Sequence, residues 1–307
     1  MTMRVLVLGA GATGGFYGGH LMMAGENVTF LVRPKRHAQL MENGLVVISP
    51  QGKITLPVQA VTRVNKPFDL VLLSCKAYDL DAAIETIRPA VGPDTRILPL
   101  LNGMNHLEKL DAAFGAERVM GGLCHLTITM DADGTIRHLH AFNRLTFGAR
   151  HLVQAPVAEA LAQAYAKCPI TVVNSPDIVH EMWEKFYFLA TLAGSTTLMR
   201  APIGAILKAP DGLAFITGLL DECTRVATAA GHPPSAERDA ESRYHLTMQD
   251  STLSASMMRD IEKGGPTEGE HIVGDLLRRG RELGLELPLL TLSATHLRAY
   301  EARRTGS

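Results

Sequence analysis

The sequence predicts an α/β fold, with a doubly wound parallel sheet in the first half and an all-α domain in the second. Short apolar runs alternate with helical segments up to about residue 174. A glycine-rich turn joins the first run to the first helix. Strand signals then almost vanish from Ser175 onward.

Arg4 to Leu8 is a short buried strand, and a helix follows from about Gly14 to Ala24, with Gly25 where a helix stops. Val28 to Val32 is a second strand, Phe68 to Ser74 a third, Ala82 to Arg88 a helix and Arg96 to Leu101 the next strand. Unbroken apolar runs of this kind suit parallel strands covered on both faces. Between Val119 and Gly148 the texture changes. Alternation over Leu126–Met130, a turn at Asp131–Gly134 and a strand from Thr135 to His140 predict an antiparallel hairpin. Residues 152–166 read as a helix and Ile170 to Val173 as a strand. A long helix opens after Ser175–Pro176–Asp177 and runs to about Met199, and further helices are expected over 211–230, 235–248, 268–283 and 288–302. The expected domains are 1–174 and 175–307.

Composition narrows the function classes. A length of 307 residues fits two domains. A formal net charge of −1 and 5% aromatic residues provide neither the field nor the stacking platforms that nucleic acid needs. Cys75, Cys124, Cys168 and Cys223 are scattered with no CxxC, which argues against a zinc site or disulfide framework and fits a reducing cytoplasm. No apolar stretch approaches membrane-span length, and Val5–Leu8 is too short for a secretory signal. His125, His138 and His140 have no carboxylate at ligand spacing, so no metal site is expected.

Gly9–Ala10–Gly11–Ala12–Thr13–Gly14 fits GxGxxG, and its place between a predicted strand and a predicted helix is what the dinucleotide-binding (Rossmann) motif requires. The first glycine permits the turn, the second admits a pyrophosphate, and the third lets helix and sheet pack closely. The alternative is a glycine-rich turn with no ligand. NAD sites carry an acid about 20 residues on. Here Arg33 stands at that distance, followed by Lys35 and Arg36, with no acid in residues 27–39. A guanidinium there suits the 2′-phosphate of NADP, the alternative being a solvated basic turn.

With Lys76, Asn102–Gly103–Met104, Trp183–Glu184–Lys185 and Ser256 ahead of Thr267–Glu268, this pattern resembles the ketopantoate reductase (2-dehydropantoate 2-reductase) family over nearly the whole chain. The resemblance implies NADPH-dependent reduction of ketopantoate to pantoate, on the route to pantothenate and coenzyme A. It makes Lys185 the proton donor to the carbonyl oxygen, since hydride arriving at carbon leaves an alkoxide. It places Asn102 near nicotinamide ribose and substrate, Arg33 and Lys76 at the adenosine-side phosphate, Ser256 at the substrate carboxylate, and Glu268 near the nicotinamide ribose. It aligns Thr127 loosely with a cofactor contact. The expected partner is a small 2-oxo acid, with no nucleic acid or membrane, and the expected state a monomer or homodimer.

The family's asparagines that hold the hydroxyl and carboxylate of ketopantoate fall at Leu189, Ala193 and Ile203, with Ser195, Thr196 and Thr197 nearby as candidate replacements. Losing such bonds costs roughly 1–3 kcal/mol for each buried group left unpaired. A second expectation is therefore the same chemistry on a more apolar 2-oxo acid or ketone. A third is a non-catalytic NADP sensor, against which Lys185 and Glu268 argue.

Overall fold

The computed structural model describes residues 2–306. The chain separates into two compact units, one holding the chain up to Leu101 with His106–Val179, the other Asn102–Asn105 with the chain from His180 on.

The first unit contains, in order, β1 (Arg4–Leu8), α1 (Ala12–Met23), β2 (Asn27–Leu31), α2 (Pro34–Asn43), β3 (Leu45–Ser49), β4 (Gly52–Leu56), β5 (Gln59–Val61), β6 (Leu70–Leu73), α3 (Leu80–Ile87), β7 (Arg96–Pro99), α4 (Asn105–Phe114, its first residue assigned to the second unit), β8 (Gly121–Met130), β9 (Ile136–Gly148), α5 (Ala155–Tyr165) and β10 (Thr171–Asn174). Five parallel strands form its main sheet in the order β5-β2-β1-β6-β7. Val5, Leu6, Val7 and Leu70 to Leu73 are fully buried, which explains their unbroken apolar sequence. The chain winds outward from β1 to β2 and β5, then returns across β1 to β6 and β7. The direction reverses between β1 and β6, the place where such sheets bind ligands at their carboxyl ends.

A second, mixed sheet has the order β10-β9-β3-β4, with β8 on β9. The β8–β9 hairpin matches the sequence reading but is longer on both sides. The β3–β4 hairpin was not anticipated, nor was the parallel pairing of Val47 and Ile48 with Ile136 and Arg137. α1 is packed by both sheets. A Cβ on Gly14 would overlap the Gly9 carbonyl and the Ser74 hydroxyl, and one on Gly15 would overlap Ile136 of β9. The third motif glycine is thus required for close approach.

The second unit is helical: α6 (Ile178–Met199, whose first two residues belong to the first unit), α7 (Ile203–Leu207), α8 (Gly212–Ala229), α9 (Ala236–Thr247), α10 (Ser256–Glu262), α11 (Asp275–Glu282) and α12 (Pro288–Thr305). The helix read from residue 268 is instead a π-helical turn over Glu270–Gly274 leading into α11. Side chains cap two of these helices. The Ser235 hydroxyl accepts from Arg238 N–H at the start of α9. The Glu222 carboxylate accepts from Leu289 and Leu290 N–H, at 3.1 and 2.8 Å, at the start of α12. Among the described residues no strand follows Asn174, and no helix is long and apolar enough to cross a membrane.

Candidate active site

The glycine loop leaves β1 with Gly9 at φ +88, a conformation that favours glycine. Gly11 is the N-cap of α1 and no side chain caps this helix, so its first amides are free to bind an anion. With the close approach at Gly14, this is a cradle of the kind a dinucleotide pyrophosphate requires.

Arg33 is the N-cap of α2, at the carboxyl end of β2. Its Nη2 lies 3.1 Å from Asp79 Oδ1, in the turn that follows β6. Lys76 opens that turn, exposed, and its carbonyl accepts from Asp79 N–H at 2.9 Å. The ion pair therefore brings the Arg33 and Lys76 segments together at one end of the parallel sheet. Asp79 was missed by sequence reasoning, because an acid 46 residues from Arg33 carries no local signal.

In the second unit, Lys185 projects from α6, and its Nζ donates to Asn102 Oδ1 at 3.0 Å. Asn102 lies in the turn after β7. Gly103, next to it, has φ +82, and a Cβ there would stand 2.8 Å from the His271 carbonyl and 3.1 Å from its Cδ2. The turn is thus pressed onto the π-helical segment that follows Glu268. Glu268 is buried, and its carbonyl accepts from His271 and Ile272 N–H, both at 3.1 Å. π-turns of this kind often mark functional sites. His271 had no signal in the sequence.

Ser256 is exposed as the first residue of α10, and the Ala255 N–H just before it donates to Thr196 Oγ1 on α6 at 3.3 Å. Thr127 is exposed on β8 in the second sheet. It stands alone opposite Leu139–Phe142, four residues of β9 that bulge between the pairs Leu126–Asn143 and Ile128–His138. It belongs to neither hydrogen-bonded group. His138 is buried beside the Phe16 ring, and among the described residues no cluster of three His, Cys, Asp or Glu side chains is suited to a metal ion.

In the helical unit, the Ser195–Thr197 expectation changes and Ile203 takes a defined place. Ser195, Thr196 and Thr197 do not offer donors to a ligand. All three are fully buried, and their hydroxyls donate to the carbonyls of Thr191, Leu192 and Ala193 one turn back. Ile203 is fully buried, and its N–H donates to the Leu253 carbonyl at 3.0 Å. Leu189, one turn beyond Lys185, is half-buried on the same helix face.

Fold and site together define an oxidoreductase that uses a nicotinamide cofactor and acts on CH–OH groups. Comparison with known proteins narrows the class. Models described as "Ketopantoate reductase PanE/ApbA" and "Ketopantoate reductase PanE/ApbA C terminal" match residues 5–151 and 177–301, so the chain belongs to the ketopantoate reductase family. It is 36% identical to an "Uncharacterized oxidoreductase YkpB" of Bacillus subtilis, covering 98% of this chain and 100% of that one. It is 28% identical to a 2-dehydropantoate 2-reductase of Halobacterium salinarum, over 99% and 100% of the two chains. Among solved structures, a 2-dehydropantoate 2-reductase from Geobacter metallireducens superposes with a TM-score of 0.87 at 30% identity, over 97% and 99% of the two chains. A D-mandelate dehydrogenase solved with NADH shares the fold, with a TM-score of 0.87 at 21% identity over 99% of each chain.

Proposed function

We propose that this chain reduces the carbonyl of a small 2-oxo acid with NADPH, with Lys185 as proton donor. The hydrogen bond from Lys185 to Asn102 carries the reading, because an ammonium held by an amide oxygen is oriented for one task. The amides of Gly11 to Gly14 would hold the pyrophosphate, and Arg33 with Lys76 the 2′-phosphate. The nicotinamide, when bound, supplies the hydride. Reduction leaves negative charge on the carbonyl oxygen, and Lys185 stabilises that charge and gives up a proton to it. Ser256 would receive the carboxylate, and Glu268 would orient the ribose.

The family reading makes ketopantoate the substrate and pantoate the product. A second reading, a more apolar 2-oxo acid or ketone, is supported by Leu189 beside Lys185 and by the internally bonded hydroxyls of α6. The test follows NADPH absorbance with ketopantoate beside 2-oxo acids graded in polarity. Brisk turnover of ketopantoate upholds the first reading, and turnover only of apolar analogues the second. Tight NADPH binding with no oxidation of any of them would instead indicate a sensor and overturn the catalytic reading.

A further inference from the structure

The glycine loop is gripped by a residue outside its motif. Arg36, in the first turn of α2, donates from Nε to the Ala10 carbonyl at 2.8 Å. Its Nη1 lies 3.4 Å from Gln39 Oε1, and Gln39 Nε2 in turn donates to the Ala132 carbonyl at the β8–β9 turn at 3.1 Å. Gly134 of that turn presses on the same guanidinium, since a Cβ there would overlap Arg36 Nη1. Arg36 Nη2 is buried without a hydrogen-bond partner, and burial lowers the pKa of the group.

The consequence follows from peptide geometry. In a planar trans peptide the carbonyl and the following N–H point in opposite directions. Fixing the Ala10 carbonyl on Arg36 therefore turns the Gly11 N–H away from it. If that peptide flipped, a carbonyl dipole would take the place of the amide. One peptide's orientation thus changes whether the loop attracts or repels a phosphate.

We propose that Arg36 is a positioning residue for the cofactor. It locks the Ala10–Gly11 peptide in the phosphate-binding orientation and, with Gln39 and Gly134, makes the β8–β9 turn part of the loop's scaffold. This rests on the reading of the loop as a dinucleotide site.

The test compares wild type with Arg36→Met, Arg36→Lys and Gln39→Ala. It combines hydrogen exchange of the segment 5–20 in cofactor-free protein, calorimetric titration with NADPH, and thermal melting. Arg36→Met should speed exchange of that segment, raise the NADPH Kd on the order of tenfold, and raise KM for NADPH more than it lowers kcat. Arg36→Lys should recover part of each effect, and Gln39→Ala should shift both in the same direction by less. A lower Tm with wild-type exchange and wild-type Kd would make Arg36 merely structural and overturn the proposal. Faster exchange in Arg36→Met, with no NADPH binding even by wild type, would uphold the peptide lock and overturn the cofactor reading.

Discussion

Lys185 on α6 and Asn102 in the turn after β7 stand 83 positions apart in sequence, yet the ammonium and the amide oxygen meet at 3.0 Å. The bond fixes the direction of an ammonium that carries protons to give. Lys185→Met should therefore lower kcat by about 10²–10⁴-fold while leaving the NADPH Kd close to wild type. Asn102→Ala should lower it less, because the ammonium remains but loses its orientation. Steady-state kinetics with calorimetry on both variants checks this, and a Lys185→Met enzyme with wild-type turnover would remove the proposed role.

Substrate polarity should be readable at one position. Leu189 follows Lys185 by one helical turn on the same face, and the hydroxyls beyond it are committed to their own backbone. Leu189→Asn should raise kcat/KM for a hydroxylated 2-oxo acid, relative to an apolar one of similar size, by roughly tenfold. An unchanged ratio would place the discriminating contacts elsewhere.

The adenosine end of the cofactor offers a test with opposite signs at two residues. Arg33 is 81% exposed, and its pair with Asp79 is weakened by solvent, so a 2′-phosphate would compete for it easily. Arg33→Ala should weaken NADPH binding on the order of tenfold and leave NADH binding nearly unchanged. Asp79→Asn should tighten NADPH binding, by less at high salt because exposed charges are screened. If Arg33→Ala weakened both nucleotides equally, Arg33 would hold something other than the 2′-phosphate.

The parts legible in the sequence were those whose cause is local. β1, β2, β6 and β7 are buried on both faces and read as apolar runs. The glycine loop announces itself by spacing. The second sheet was only half visible. Its β8–β9 hairpin has local alternation and a turn, whereas the partnership of Val47 with Ile136 depends on two segments nearly a domain apart in sequence. The same holds in the site. Resemblance supplied Lys185 and Asn102 separately. That Asn102 accepts from Lys185, that Asp79 pairs with Arg33, and that Gly103 rests on His271 are tertiary facts with no periodicity to betray them.

The glycine motif makes a stability prediction apart from binding. Gly14 faces the Gly9 carbonyl and the Ser74 hydroxyl so closely that Gly14→Ala must push α1 off β1. It should lower stability by about 1–3 kcal/mol, the usual cost of overpacking, measured as a shift in the urea midpoint. A neutral Gly14→Ala would show that α1 can move away freely.

The core of the first unit carries a pH dependence. His20 is buried against Phe16, with ring centroids 4.4 Å apart, and its Nδ1 lies 2.8 Å from the Phe16 carbonyl. A second buried histidine, His138, has its ring 4.9 Å from the same Phe16. Burial holds the pKa of His20 below its ordinary value; the bond to the Phe16 carbonyl opposes this shift and the nearby His138 adds to it. The unfolded chain takes up this proton near the ordinary histidine value, about 6.5, while the folded chain resists it to lower pH. Below that value the unfolded state binds more protons, so the contribution of His20 to stability is present above about pH 6.5 and is lost as pH falls through the window beneath it. Melting curves across this range should show Tm declining with acidity. His20→Gln, which keeps an N–H donor for the Phe16 carbonyl but does not titrate, should flatten that decline; an equally steep decline in His20→Gln would assign the acid sensitivity to other groups.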